Sequence, residues 1–410
     1  MAKTTQYTAR TGSAMTTGQS NFINIGLGDP SQSTGDNNDT RTSAEALGAY
    51  SHLYVRVTTN AMTSPGTMSC NRNATPGVGA VSITAGAANQ AFEDNVGADI
   101  PATDDILNLQ IVNGGGGNLQ PTVRGVCFNA LLNTSVTLGS FNRLVNGANA
   151  VAFGRLAGNG PVGATELLSM QVQMPTAGTF KFGNAGANNN TRVTNASVWS
   201  ERINGLTGGN DGTIAVSIPA DGSTGQVVDK VHSDATVLND LLDVVLRNGS
   251  GTGQAAGLFT FVFETIDFST LLLASGNGNQ TYTTGSTIFE GPNGRLGAIA
   301  TELNIQTKSG IPCVTSRYGI NVVTNAMTTA STLTYRKDAG VINGSISVPG
   351  SGTFVAGYYN DNVNTDAFTS INDMSWKMVC GTGGSMTVAN MSCKVQAFSP
   401  HSLLSCMGAG

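Results

Sequence analysis

The sequence predicts an all-β protein built from three tandem antiparallel β-sandwich domains of the jelly-roll type. Short segments alternate apolar and polar residues, as in "HLYVRV" (52–57) and "LFTFVF" (258–263), and Gly, Asn, Pro and Ser clusters separate them. Several sets of residues also recur at a period of about 134 residues, which indicates an internal repeat. No segment has a convincing helical period longer than about two turns.

A heptapeptide gives the first sign of the repeat. "VTTNAMT" occupies residues 57–63 and "VVTNAMT" occupies residues 322–328, and both copies end an apolar run and precede a short Thr/Ser-rich stretch. We expect the equivalent strand in the middle of the chain near residues 167–182, where the amino-acid sequence has diverged. The heptapeptide is therefore interpreted as one strand shared by the first and third domains.

Two further anchors give the period for all three domains. An Asp precedes an alternating apolar strand and a Gly-rich turn at Asp105, Asp240 and Asp373, with separations of 135 and 133 residues. A Ser lies inside "AVSITA", "AVSIPA" and "SISVPG" at Ser82, Ser217 and Ser347, with separations of 135 and 130 residues. We interpret the Asp as a turn cap that bonds its own backbone, and both sets as structural positions without chemistry.

The period places the domains at residues 1–134, 135–268 and 269–410, the last with a C-terminal tail. "DATVLNDLLDVVL" (234–246) is the only rival helix, and the repeat predicts a strand there because its counterparts read as strands. Turn signals every 8 to 15 residues favour sandwiches over any helical architecture.

Composition constrains the partners. Charged residues make up 11 % of the 410 residues, with only seven Lys and seven Glu, whereas about 25 % is usual. So little surface charge favours a chain that works inside an assembly, as a homo-oligomer or bound to a lattice. The net charge of −5 and the absence of any run of Lys and Arg predict no nucleic-acid partner.

The sequence predicts a soluble chain made in a cytoplasm. Its first residues lack the apolar core of a signal peptide. The most apolar stretch, 257–274, contains Glu264 and Asp267, so it is too polar to span a bilayer and no membrane partner is expected. Six cysteines show no metal-binding spacing, and either buried free thiols or disulfides within or between subunits remain open for Cys70, Cys127, Cys313, Cys380, Cys393 and Cys406.

The chain offers little for catalysis, so we expect no enzyme, no cofactor and no metal. His52, His232 and His401 share no repeat position, and no nucleophile elbow is found. "GNGPVG" (158–163) matches a dinucleotide fingerprint only formally, because it contains Pro161 in β surroundings. Three acidic stretches could offer oxygen ligands to Ca²⁺, but the ordinary preference of Asp, Asn and Gly for turns explains them equally well: 35–40, 208–213 and 359–366.

The stretches 334–340 and 92–117 share a recognisable order of strands and turns. In these stretches the chain resembles a β-sandwich unit that recurs in virion proteins of tailed bacteriophages. The family pattern has a strand ending in Arg-Lys, a "SIPAG"-like strand followed by "FED" and a "TD" loop, and then an "AGDxLN"-like strand with a Gly turn. "TYRKDAG" (334–340) matches the first part and "FEDNVGADIPATDDILNLQIVNGGGG" (92–117) the second. The first strand departs from the pattern as "MSCNRNATPG" (68–77) and "FKFGNAGANNN" (180–190) in the other two domains.

The resemblance implies a structural component of the virion: a capsid decoration, head-fibre, collar or tail protein whose partners are other virion proteins. An alternative is a receptor-binding fibre that recognises glycans, for which exposed aromatic residues such as Tyr318, Tyr358 or Tyr359 would supply a platform. A polysaccharide depolymerase is a third hypothesis, and it would need paired carboxylates in a groove.

Overall fold

The computed structural model of the chain is nearly all β. It describes residues 3–10, 14–23, 42–43, 47–102, 105–130, 135–146, 149–155, 164–205, 211–250, 254–267, 269–292, 294–295, 299–308, 312–369, 371–397 and 406–407. Helical structure within these ranges is limited to 3-10 turns such as Leu168–Met170 and Glu302–Asn304. The segments whose apolar and polar residues alternate are therefore strands, as predicted. The stretch 234–246, the one rival helix, also contains strands, at Asp234–Thr236 and Leu241–Asn248.

Residues 3–130, here called segment 1, form two antiparallel sheets with the orders β1-β9-β4-β7 and β2-β8-β5-β6, the short β3 pairing with β8. Its strands are β1 (Lys3–Arg10), β2 (Ser20–Ile23), β3 (Thr42–Ser43), β4 (Leu47–Asn60), β5 (Gly66–Arg72), β6 (Thr75–Ile83), β7 (Gln90–Asp99), β8 (Ile106–Val112) and β9 (Leu119–Ala130). Alternate residues of both sheets, among them Val55 and Ile111, meet in one buried core, which gives a β-sandwich-like body.

Residues 135–265, segment 2, pair in the orders β16-β13-β19-β10 and β11-β18-β14-β15, with β17 on β13 and β12 on β18. The strands are β10 (Ser135–Asn146), β11 (Val151–Gly154), β12 (Val172–Gln173), β13 (Gly178–Asn190), β14 (Ser197–Ile203), β15 (Val216–Ile218), β16 (Gly225–Asp229), β17 (Asp234–Thr236), β18 (Leu241–Asn248) and β19 (Gln254–Thr265). Trp199 stacks on Phe259 across the core at a centroid distance of 5.5 Å.

Residues 269–397, segment 3, pair in the orders β22-β20-β29-β24-β27 and β21-β28-β25-β26, with β23 on β28. The strands are β20 (Ser269–Thr283), β21 (Thr287–Glu290), β22 (Gly294–Arg295), β23 (Thr307–Lys308), β24 (Cys313–Asn325), β25 (Ser331–Lys337), β26 (Gly340–Val348), β27 (Gly357–Phe368), β28 (Asp373–Val379) and β29 (Ser385–Ala397). A last strand, β30 (Cys406–Met407), pairs in parallel with β10 of segment 2. Aromatic rings fill this core, with Tyr335 4.7 Å from Trp376.

The three segments share one order of strand pairing, so registers assign equivalent positions. In each segment the long strand β4, β13 or β24 lies between its closing strand and an edge strand. The register equates Asn60, Asn190 and Asn325 at the end of that strand. The heptapeptide at 57–63 and 322–328 therefore corresponds to 187–193. Our placement near 167–182 was wrong, and "FKFGNAGANNN" belongs to this strand and not to the one that ends in Arg-Lys.

Contacts between segments run from each segment to the next and back to the first. β3 of segment 1 lies beside β13, the 3-10 turn Leu168–Met170 lies against β24 and β29, and the 3-10 turn Glu302–Asn304 lies against β4. Because β4, β13 and β24 are equivalent, these are three versions of one head-to-tail contact. A head-to-tail contact of this kind generates a ring when the rotation closes.

Hydrogen bonds repeat at two of these junctions. The backbone carbonyl of Gln171 accepts from Asn390 Nδ2 at 3.0 Å, from Asn321 Nδ2 at 3.5 Å and from the Tyr358 hydroxyl. The carbonyl of Gln306 accepts from Arg56 Nε at 3.2 Å. Gln171 and Gln306 each precede the short strand that pairs with β18 or β28, and Asn321 and Arg56 hold the same register position. The junctions are therefore equivalent in position as well as in topology.

Candidate functional site

The densest group of ionisable side chains in the described residues lies on the β18 sheet of segment 2. Arg202 Nε donates to Glu166 Oε2 at 2.7 Å, and Arg202 Nη1 donates to Asp211 Oδ1 at 2.6 Å. Arg247 also donates to Asp211, from Nε to Oδ2 at 2.6 Å. Burial opposes ionisation of Asp211, but the two guanidinium groups outweigh it and hold its pKa below the usual value.

A second carboxyl completes this network. Asp243 is fully buried beside Glu166, and burial together with the negative charge of Glu166 raises the pKa of Asp243 to about 9. Neither of its oxygens accepts from another donor within the described part of the chain. Asp243 therefore carries a proton at neutral pH, and its carboxylic acid donates to Glu166.

Segment 3 explains what this pair does. The same positions hold Glu302, Arg336 and Ser375: Arg336 forms two hydrogen bonds with Glu302, at 2.8 and 3.0 Å, and the Ser375 hydroxyl donates to Glu302 Oε1 at 2.6 Å. Register equates Arg202 with Arg336 and Asp243 with Ser375. A protonated Asp243 thus supplies the donor that a hydroxyl supplies in segment 3, which is a structural role.

Glu201 and Asp234 form a second pair of carboxyls in segment 2. Glu201 is fully buried, and burial followed by its hydrogen bond with Asp234 raises the pKa of Glu201 to about 9. Asp234 accepts from the backbone N–H groups of Thr213 at 2.8 Å and Ile214 at 3.0 Å. The equivalent carboxylate in segment 3, Asp366, accepts from the hydroxyl of buried Tyr318 at 2.8 Å. Protonated Glu201 therefore plays the part of a buried hydroxyl.

Two carboxyls with widely separated pKa values are also what acid–base catalysis uses, and such pairs are a recognised sign of functional sites. Here each pair has a hydroxyl-containing counterpart in segment 3, so the fold accounts for it. Within the described residues, no three His, Cys, Asp or Glu side chains come together in a way that could hold a metal ion.

A buried amide ends the long strand of every segment. Asn60, Asn190 and Asn325 each accept from the N–H two residues later, at 3.0 to 3.1 Å. Their Nδ2 atoms donate to carbonyls on the facing loop at 2.7 Å: Thr84, Pro219 and Pro349. The heptapeptide keeps its Asn because this side chain satisfies backbone groups of two loops. Only the Asn survives in segment 2, which is why sequence matching missed it.

Replacing Asn190 with Ala removes this amide and leaves the Pro219 and Ser223 carbonyls and the Arg192 N–H without it. We expect the free energy of unfolding to fall by about 1–3 kcal/mol, because buried backbone groups lose their partner. Urea denaturation followed by tryptophan fluorescence measures this loss. Asn362→Ala, at an exposed position, is the control and should change stability by less than about 0.5 kcal/mol.

The predicted Asp anchor is a turn cap in two segments. Asp105 Oδ2 accepts from the Ala102 N–H at 2.6 Å, and Asp240 Oδ2 accepts from the Val237 N–H at 2.7 Å. In segment 3 the equivalent residue is Asn372, which accepts from the Thr369 N–H at 2.6 Å. Asp373 begins the next strand, so the alignment at this anchor shifts by one residue.

The shift has a chemical reason. Asn73 and Asn204 donate to the caps Asp105 and Asp240, and in segment 3 the pair is exchanged, with Asn372 donating to Asp338. An Asp–Asn pair makes the same bond in either order, whereas sequence matching aligns the identical letters. Ser82, Ser217 and Ser347 do hold one register position, exposed between buried neighbours, as expected of a structural strand residue.

The cysteines show no disulfide among those whose side chains are described. Cys313, Cys380 and Cys393 are buried free thiols, and Cys70 is buried in the core of segment 1. Burial raises the pKa of Cys313 to about 12, so this thiol is protonated and poorly reactive. The side chains of Cys127 and Cys406 lie outside the described part of the structure.

The remaining candidates carry structural roles or lie outside the described residues. His232 contacts Asp229 at 2.8 Å. The stretch 359–366 lies within strand β27 and is not a loop, and its Asp361 accepts from the backbone N–H groups of Val363 and Asn364. Trp199, Trp376 and Tyr318 are buried, so they form no exposed platform. The described residues do not include 35–40, 158–163, 208–210, His401 or the side chain of His52.

None of the helices in the described part of the chain has the length and apolar character needed to cross a lipid bilayer. Comparison with known proteins gives no assignment: no protein-family model matches the chain, and no curated protein is significantly similar to it.

Proposed function

We propose that the chain is a structural component of a bacteriophage virion, of the capsid-decoration, head-fibre, collar or tail type. It is built from three β-sandwich units of the jelly-roll type that repeat in tandem, and it acts through protein–protein contacts as a non-enzymatic part of an assembly. The resemblance of residues 92–117 and 334–340 to phage virion units gives the biological setting.

The head-to-tail contacts carry this proposal. Three units that contact each other through equivalent positions reproduce, within one chain, the arrangement of a cyclic trimer. Such a body has an approximate threefold axis and can occupy a threefold position of a larger assembly. A low share of charged residues, 11 %, suits a surface that is covered by neighbours.

The side-chain chemistry supports the same role. The ion pairs of Arg202 and Arg336, the protonated acids Asp243 and Glu201, and the buried amides all satisfy groups of the fold. The buried positions of Trp199 and Trp376 do not favour the alternative, a glycan-binding fibre.

Purified particles of the virus that encodes the chain test the proposal. After separation on a density gradient, quantitative mass spectrometry should find the chain in the particle fraction at a fixed ratio to the most abundant particle protein. Chain that stays with free protein in the lysate would overturn the proposal. Binding of the recombinant chain to a glycan array would instead favour the fibre alternative.

Away from the particle we expect a monomer, because each head-to-tail contact finds its partner inside the same chain. Light scattering should give the mass of one chain, with and without reductant. A stable trimer would show that the contacts form between chains, and a larger species that reductant dissolves would place disulfides between subunits.

A further inference from the structure

One apolar residue recurs at the surface of all three segments. The tripeptides Asp94–Val96, 229–231 and 361–363 read Asp-Asn-Val, Asp-Lys-Val and Asp-Asn-Val. Val96, Val231 and Val363 expose 92 %, 86 % and 87 % of their surface, the highest values among the large apolar side chains of the described residues. A single exposed valine needs no explanation, but the same exposed valine in three divergent segments does.

The backbone holds each valine in the same way. The valine N–H donates to Oδ1 of the preceding Asp at 2.9 Å in segment 1, 3.0 Å in segment 2 and 3.1 Å in segment 3. The other carboxylate oxygen accepts from the neighbouring strand, from the N–H groups of Ala80, Ala215 and Ser345 at 2.8 to 3.0 Å. Each tripeptide is therefore a fixed turn and presents its valine in one orientation.

The pKa values of the turn carboxyls agree with these hydrogen bonds. Burial opposes ionisation of Asp229 and Asp361, but the surrounding N–H donors outweigh it and hold the pKa of each carboxyl below the usual value. The carboxylates are thus engaged by N–H groups of their own segment. In segments 1 and 3 the tip of the turn offers an uncharged apolar side chain.

The valines lie at the outer edges of their sheets. β7 and β27 are edge strands, and the register shifts opposite Val96 and Val363, which marks a bulge. Val231 lies in the break between β16 and β17, which takes the same place in segment 2. Bulges protect sheet edges from pairing, and proteins usually add charged side chains there. Valine at the two bulges and at the break does not serve that protection, which indicates another use.

The approximate threefold axis fixes how the three valines are displayed. A rotation about an axis moves equivalent points around it without changing their height, so the three tips lie in one plane across the axis, at similar distances from it. The ring therefore carries three equivalent apolar points in one plane.

We propose that these three points dock together on a threefold-symmetric protein site, in which three identical subunits each offer a small apolar recess to one valine. The proposal rests on the proposed function and deepens it by naming the partner surface. Three valine side chains cover far less than the roughly 800 Å² per partner that a stable pair buries, so a single recess would bind weakly. Three equal contacts at matched spacing give the avidity that one lacks, and only a partner with the same symmetry supplies them.

Photo-crosslinking in assembled particles tests the proposal. p-Benzoylphenylalanine is placed at Val96, Val231 or Val363, and at Val78 and Val355 as controls, which are 77 % and 74 % exposed but have no valine at their equivalent positions. We expect the three test positions to crosslink to the same peptide of one virion protein, and the two controls not to reach that peptide.

The outcomes separate the two proposals. If the chain is bound to the particle but the three positions reach different peptides, a second copy of the chain or nothing at all, the docking proposal is wrong and the structural role stands. If the chain is absent from particles, both proposals fall.

Affinity gives an independent check. Replacing all three valines with Ser should reduce particle occupancy by more than about tenfold, while each single replacement has a much smaller effect, as multivalent binding requires. The triple replacement of Val78, Val341 and Val355, which are 77 %, 70 % and 74 % exposed, should leave occupancy unchanged. Equal losses in both triple variants would contradict the proposal.

Discussion

Arg56→Met is expected to lower the free energy of unfolding by about 1–3 kcal/mol, because a buried carbonyl and a partly exposed carboxylate lose their cationic partner. Arg56 is 5 % exposed and joins segment 1 to segment 3. Its guanidinium donates to the Gln306 carbonyl at 3.2 Å and lies 3.6 Å from Asp373 Oδ1. Met keeps much of the apolar stem but leaves the carbonyl and the carboxylate without the cation.

Urea denaturation at neutral pH measures this effect, and Arg72→Met is the matched control. Arg72 also contacts two carboxylates, Asp99 at 3.4 Å and Asp105 at 3.6 Å, but it lies within segment 1 and its side chain is 41 % exposed. The control should cost less than about 1 kcal/mol. A loss for Arg56→Met no larger than for the control would show that the contact between segments 1 and 3 contributes little to stability.

The double variant Glu201→Gln, Asp243→Asn is expected to remove a pH dependence of stability. Both acids have a folded-state pKa of about 9, well above the usual value near 4. Between these pH values the folded state holds two protons that the unfolded state releases. The stability that these two bound protons contribute is therefore lost as pH rises from about 4 towards about 9.

The amide side chains of the double variant can still donate a hydrogen bond, but they do not titrate. Gln at position 201 can donate to Asp234, and Asn at position 243 can donate to Glu166 as Ser375 does to Glu302. The double variant should be more stable than the natural chain at pH 8 and should show a flatter profile from pH 5 to 9. Asp221→Asn, in an exposed turn, is the control and should leave the slope unchanged. Parallel profiles for the natural chain and the double variant would contradict the assigned protonation.

The sequence predicted the strands well because alternation and turn residues act locally. Strands β8, β18 and β28 precede their Gly-rich turns as expected, and Ser82, Ser217 and Ser347 share one register position. Alignment of the repeats by identical residues failed where different residue types have the same structural role. Asn372 replaces an Asp as turn cap, and in segment 2 only Asn190 remains of the heptapeptide strand.

The buried networks could not be predicted, because they depend on neighbours distant in sequence. Glu201 occupies the core position that Cys70 and Tyr335 hold in the other segments, and nothing local to residue 201 shows that Asp234 will face it. The Asp-x-Val tripeptides were visible in the sequence at separations of 135 and 132 residues. Their importance appears only when the fold shows that the Asp is held internally and the Val is exposed.

Small-angle X-ray scattering of the recombinant monomer tests the central claim, that three units close into a ring. A compact body of this length has a radius of gyration of about 22–25 Å. We expect a value in that range, unchanged by salt. A radius above about 30 Å, as three such units stacked into a rod would give, would contradict the ring and with it the symmetric placement of the three valines.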